Sequence, residues 1–197
     1  MSFDWKKYEI PELFQNELYE VFDEKKSFVE KAVKLLYSPK PWCLYFFGQP
    51  GVGKSLFAVN LFKHFLEKPL GHSGIFLTCH SYFLKIQETM DSNFRQVDLL
   101  RNFFEIDILI LDDFGYIRAT EWQIEKISML LENRFNNVKK TLITSNLCPK
   151  DVWEQWGPRL HRRICEVGQP FEMTESQYHK NALERKNLTE RYVHTDH

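Results

Sequence analysis

Along the middle of the chain, short and almost unbroken apolar runs alternate with longer stretches whose apolar positions recur at helical spacing. WCLYFF (42–47), GIFLTC (74–79), the start of IDILILDDFG (106–115) and TLITSN (141–146) predict buried strands. The isoleucine and leucine run of the third is too continuous for a half-exposed strand, so it is expected at the centre of a sheet covered on both faces. SLFAVNLFKHFLEK (55–68) predicts a helix stopped by Pro69 and Gly71, and two short helices are expected over 81–90 and 93–104. TEWQIEKISMLLENRF (120–135) places Ile124, Ile127, Leu131 and Phe135 at helical spacing, with Thr120 and Gln123 disposed as a capping box. PKDVWEQW (149–156) predicts a short helix, and RLHRRICEVG (159–168) a basic helical turn running into a last strand. Strands alternating with helices in this way predict an α/β domain with a mostly parallel sheet. Residues 41–171 form its expected core. A short, largely helical N-terminal extension over 1–40 includes a helix at 24–37, and a polar, partly helical tail covers 172–197.

Composition narrows the picture only a little. The 197 residues are 43% hydrophobic and 27% charged, ordinary for a globular chain that can bury a core. Twenty-six basic and 27 acidic side chains give a net charge of -1, so a nucleic-acid surface would have to be local. Cys43, Cys79, Cys148 and Cys165 form no CxxC pair, which argues against a disulfide framework or a zinc knuckle and fits a reducing compartment. The opening MSFDWKKYEIPELF has no apolar signal core and no run approaches a membrane span; a cytoplasmic location is expected.

Chemistry enters with GQPGVGKS (48–55). Three of the chain's eight glycines fall within residues 48–53, directly before Lys54 and Ser55, after a predicted strand and at the start of a predicted helix. This is the G-x-x-x-x-G-K-[ST] pattern in the context it requires. Backbone N–H groups of Gly48, Pro50's neighbours, Gly51, Val52, Gly53 and Leu56 would converge on phosphate oxygens at the positive end of the helix dipole. Lys54 would reach the β- and γ-phosphates and the Ser55 hydroxyl would ligate Mg²⁺. The loop thus predicts a nucleoside triphosphate site. At the carboxyl end of the third strand, Asp112 is suited to the Mg²⁺ shell and Asp113 to orienting and deprotonating an attacking water, unless the pair only caps the next turn. Asn146 ends another apolar strand; with that strand between the loop strand and the aspartate strand, its amide would stand beside the γ-phosphate, although alone it reads as a turn residue.

Taken together, GQPGVGKS, ILILDDFG, TLITSN and PRLHRRICEVG, in this order and spacing over about residues 30–170, resemble the AAA+ ATPases of the DnaC/IstB type, which include replicative-helicase loaders and ATPase helpers of transposases. The resemblance implies a P-loop fold with a parallel five-stranded sheet of order 5-1-4-3-2. It implies Lys54 and Ser55 as Walker A, Asp112 and Asp113 as Walker B, and Asn146 as sensor 1. It also implies ATP and Mg²⁺ as cofactors, and self-association through an arginine finger acting on a neighbouring subunit. Arg163 matches the finger best, with Arg159 one helical turn earlier as a second contact and Arg162 as a competitor. A solvated basic helix end is the alternative. About 25 residues follow the last strand, so no full C-terminal helical lid is expected.

The function implied is ATP hydrolysis in DNA replication or transposition, first as a helicase loader that binds DNA and a partner enzyme, then as a transposase helper. For DNA, single-stranded as the resemblance implies, the candidates are Lys85, Arg95 and Arg101, with acids Glu88, Asp91 and Asp98 close by; Phe94, Phe103 and Phe104 would pack helices. Two other classes are compatible with the loop: a nucleotide-switch adaptor with little hydrolysis, and a small-molecule kinase, which would need an arginine-rich lid that no segment between the strands supplies.

Overall fold

The computed structural model describes residues 3–15, 26–67, 71–90, 93–115 and 119–174. Five strands, β1 (Cys43–Phe47), β2 (Gly74–Thr78), β3 (Ile108–Phe114), β4 (Lys140–Ser145) and β5 (Gln169–Glu172), form one parallel sheet. Their order is β2-β3-β4-β1-β5, which read from the other edge is the expected 5-1-4-3-2. The helices are α1 (Lys26–Tyr37), α2 (Lys54–Leu66), α3 (Cys79–Gln87), α4 (Asn93–Glu105), α5 (Glu121–Asn136) and α6 (Pro149–His161), followed by a wide turn at Arg162–Glu166.

Alternate residues of the buried strands supply two cores. Leu44, Phe46, Ile108, Ile110 and Leu142 face α1 and α2 with Tyr8 and Ile10, whereas Tyr45, Leu109, Leu111 and Ile143 face α3, α5 and α6. Both faces are covered, which is why the strands carry no polar alternation. The capping box at Thr120 and Gln123 is present. The helix expected at 81–90 begins two residues earlier, because the Thr78 hydroxyl accepts from the Ser81 amide and caps it there. Gly157, at φ 84°, breaks α6 just before Pro158, so the predicted short helix ends at Trp156 and a further turn carries Arg159. The tail expected to be helical lies at 175–197, outside the described residues.

Two buried cations lock the amino edge of the sheet. Arg134, fully buried, donates through Nε to Thr141 Oγ1 (2.9 Å), through Nη1 to the carbonyls of Phe103 (2.7 Å) and Ile106 (3.0 Å), and through Nη2 to that of Lys140 (2.6 Å). Lys140 Nζ donates to the carbonyls of Leu35 (3.1 Å), Ser38 (2.7 Å) and Pro41 (2.7 Å), closing the end of α1 onto β4. Replacing Arg134 by Met would leave three buried carbonyls short of a donor. Chemical denaturation should then show a loss of about 3 kcal/mol.

Candidate nucleotide and metal site at the carboxyl edge

The glycine loop leaves the carboxyl end of β1 and turns into α2 at Gly53, whose φ of 90° is open to glycine at little cost. The first backbone bond of α2 runs from the Phe57 amide to the Gly53 carbonyl (2.9 Å), so the N–H groups of Lys54, Ser55 and Leu56 have no partner within the helix. Lys54 is buried in the loop it follows; its Nζ donates to the carbonyls of Gly48 (2.9 Å) and Gln49 (2.8 Å). Burial holds this ammonium below its usual range while the charges of Asp113 and Asp112 work against that shift. Gly48 itself packs so closely on the Met173 carbonyl that a Cβ would collide with it.

Across β4, a bulge positions the two aspartates. Leu111 pairs with Ile143 and Phe114 with Ser145, so Asp112 and Asp113 together face the single residue Thr144. The extra residue is Asp113, which takes the left-handed conformation (φ 54°) that Asp tolerates better than most side chains. Thr144, fully buried, serves both: its hydroxyl donates to Asp112 Oδ1 (2.5 Å) and accepts the Asp113 amide (3.1 Å). Asp112 is only 4% exposed, and Asp113 is exposed. Burial pushes the Asp112 carboxyl above the usual carboxylate range. The Thr144 and Ser55 hydroxyls oppose the rise, Asp113 adds to it, and Lys54 opposes it. A nearly dry carboxylate beside a serine hydroxyl is a set of hard oxygen donors, and it fits Mg²⁺.

The parallel register brings the remaining candidate to the same edge. Phe47 pairs with Ser145, so Asn146 follows β4 directly alongside Gly48, and both line one cleft with Gln49 and Asp151. The loop, Lys54, Ser55, Asp112, Asp113 and Asn146 therefore converge. Arg159 and Arg163 do not. The Arg163 carbonyl accepts from Trp42 Nε1 (3.2 Å) at the amino end of β1, while the loop leaves its carboxyl end. At about 3.3 Å per residue these ends stand roughly 15 Å apart, so the Arg163 backbone lies at the opposite edge of the sheet from the loop of its own chain.

The basic candidates on α3 and α4 are partly compensated. Lys85 pairs with Glu9 (3.2 Å) and Arg101 lies 4.0 Å from Glu105. Phe103 is buried as expected, but Phe94 is 78% exposed beside Arg95 and does not pack a helix. Sequence reasoning missed Thr144. Its only signal was one of three hydroxyl side chains in TLITSN, with nothing to separate it from Thr141 and Ser145.

A family model described as "IstB-like ATP binding protein" matches residues 22–160. The protein YqaM of Bacillus subtilis (strain 168) is 27% identical over 154 residues, 74% of this chain but 44% of its own, so the chain spans less than half the length of that relative. A crystal structure of the DnaC helicase loader is similar with a TM-score of 0.72 and 26% identity, over 83% of this chain and 100% of that one. The replication initiator DnaA bound to AMPPCP and single-stranded DNA has a TM-score of 0.67 at 16% identity, over 86% of this chain and 53% of its own, a likeness of fold. No helix among the described residues is long and apolar enough to cross a membrane.

The raised Asp112 pKa gives a signed expectation for the protein without nucleotide. An ionised carboxylate that is harder to hold folded than unfolded costs stability above its folded pKa, and the cost declines as pH falls from that value and is gone below the unfolded pKa. Asp112→Asn should therefore melt higher than the parent at pH 7, and the advantage should shrink on acidification. Melting curves across pH 4–8 read it directly.

Proposed function

The chain belongs to the family of IstB-like ATP-binding proteins, and from that premise we propose that it binds and hydrolyses Mg·ATP between copies of itself, as a loader that places a replicative helicase on DNA. The observation that carries the ATPase reading is the buried Asp112 carboxylate set between Thr144 and Ser55, within the field of Lys54. Residues Gly48, Pro50, Gly51, Val52, Gly53 and Leu56 shape the loop and turn its amides toward the phosphates. Lys54 exchanges the carbonyls of Gly48 and Gln49 for phosphate oxygens, which lets the ammonium leave neutral acceptors for charged ones. Ser55 and Asp112 would hold Mg²⁺, which would supply positive charge against the phosphoryl oxygens.

Asp113, turned outward by the bulge, orients the attacking water and takes its proton. Asn146 fixes that water from the adjacent strand tip. Arg163, with Arg159 one turn earlier, would reach the phosphates of the neighbouring copy, since the Arg163 backbone lies at the far edge of the sheet from its own loop. For DNA, the exposed Phe94 beside Arg95 at the start of α4 sets an aromatic ring next to a cation, and Lys85 and Arg101 are the further basic candidates. The similarity to a DnaC loader over the whole of that chain favours a helicase as partner. The IstB side of the resemblance supplies a second reading, a transposase helper. Capture from the native host with a non-hydrolysable ATP analogue, and identification of the retained enzyme, decides between them.

Lys54→Ala should abolish nucleotide binding in a direct titration. Asp113→Asn should keep that binding but lower kcat by about a hundredfold or more. Asp113→Asn with parental turnover would assign the water to another group. A parent chain that binds ATP but does not turn it over, with or without single-stranded DNA, would instead make the protein a nucleotide-switch adaptor.

A further inference from the structure

Glu132, on the exposed side of α5, sits between the two arginines. Its Oε2 accepts from Arg159 Nη2, and its Oε1 lies 3.7 Å from Arg163 Nη2. One helical turn further on, the Phe135 ring centre is 4.0 Å from the Arg163 guanidinium carbon. Trp42, which holds the Arg163 carbonyl, also meets Phe135 edge-on with ring centres 5.8 Å apart. Arg163 is thus fixed at its backbone, beneath its guanidinium plane and at one edge of its fork, with 26% of its side chain still exposed. Arg159 keeps 66% exposure and Glu132 33%.

Ion pairs this exposed add little to stability. Their consistent effect here is on direction. Two guanidinium groups four residues apart repel each other, and each long side chain samples many rotamers when unrestrained. A single carboxylate shared between them cancels the repulsion and points both forks the same way. The cluster keeps a net positive charge, two arginines against one glutamate, so a phosphate still finds an attractive site. The groove beside it, lined by Glu121, Glu125, Ser128, Met129, Gly157 and Pro158 with a volume of about 530 Å³, leaves this flank open for another body to approach.

We propose that Glu132 is a positioning residue for catalysis in trans, orienting Arg163 and Arg159 toward the triphosphate of a neighbouring copy. This rests on the reading of those arginines as fingers. Glu132→Gln keeps the shape and loses the charge. Because Glu132 lies at the far end of the sheet from its own loop, the variant should bind an ATP analogue as the parent does and keep its KM. Its kcat should fall by about tenfold to a hundredfold, as expected for a catalytic group misplaced by a fraction of its reach.

Mixing separates positioning from damage to the fold. Lys54→Ala subunits hold no nucleotide but present an intact Glu132–Arg163 pair, so an equimolar mixture with Glu132→Gln should turn over faster than either variant alone. Parental or raised kcat in Glu132→Gln would overturn the proposal, the latter by making the carboxylate a restraint on the fingers. A lowered kcat with no recovery in the mixture would overturn it in favour of a structural role. Arg163→Ala, measured alongside, keeps the two readings apart. If it retains turnover, the finger assignment itself fails; if it loses turnover while Glu132→Gln does not, only the role of Glu132 is removed.

Discussion

A carboxylate with almost no water around it governs the carboxyl edge of this sheet. Asp112 is buried among β3, β4 and the start of α2, with its charge supported by the Thr144 and Ser55 hydroxyls. Close by, Lys54 is buried too, and its ammonium is bonded to neutral carbonyls of the loop. Each charge is held at a cost that the other only partly offsets. A ligand that brings a dication to the carboxylate and phosphates to the ammonium relieves both at once. The site is in this sense destabilised in the direction of its ligand.

The parallel topology explains the rest of the layout. Every strand of the sheet runs the same way, so loop, aspartates and Asn146 gather at one edge, and the helix turn carrying Arg159 and Arg163 returns to the other. Under the proposed function, one copy would hold the nucleotide and lack the cation that completes it, while presenting that cation to another. Assembly and hydrolysis are then a single requirement. The amino edge is correspondingly rigid: Arg134 and Lys140 tie α4, α5 and α1 to β4, a few residues from Trp42 and Arg163.

Most of the fold was legible because burial on both faces left long apolar strands, and because Thr120, Gln123 and the glycine loop mark helix starts by their own chemistry. The convergence of Lys54, Ser55, Asp112 and Asn146 was legible from motif order alone. What escaped depends on pairings between distant residues. The bulge that turns Asp113 outward exists only in the register of β3 against β4. Thr144 serves two aspartates 31 and 32 positions away, and Arg134 reads in sequence as one more charge on a solvated helix although it is fully buried. Phe94 shows the opposite error, an aromatic side chain left facing water where packing was expected. The arginine cluster had a visible pattern, but its carboxylate, Glu132, lies 27 residues upstream of Arg159 with nothing local to single it out.

The dependence of ATP-analogue affinity on Mg²⁺ reads out the cost of the buried Asp112 charge. Equilibrium titration of the parent chain with AMPPCP, at rising Mg²⁺ and constant ionic strength, should show binding that tightens with the metal until it saturates, because the cation removes the cost of the buried Asp112 charge. Affinity indifferent to Mg²⁺, or no binding at all, would contradict the account.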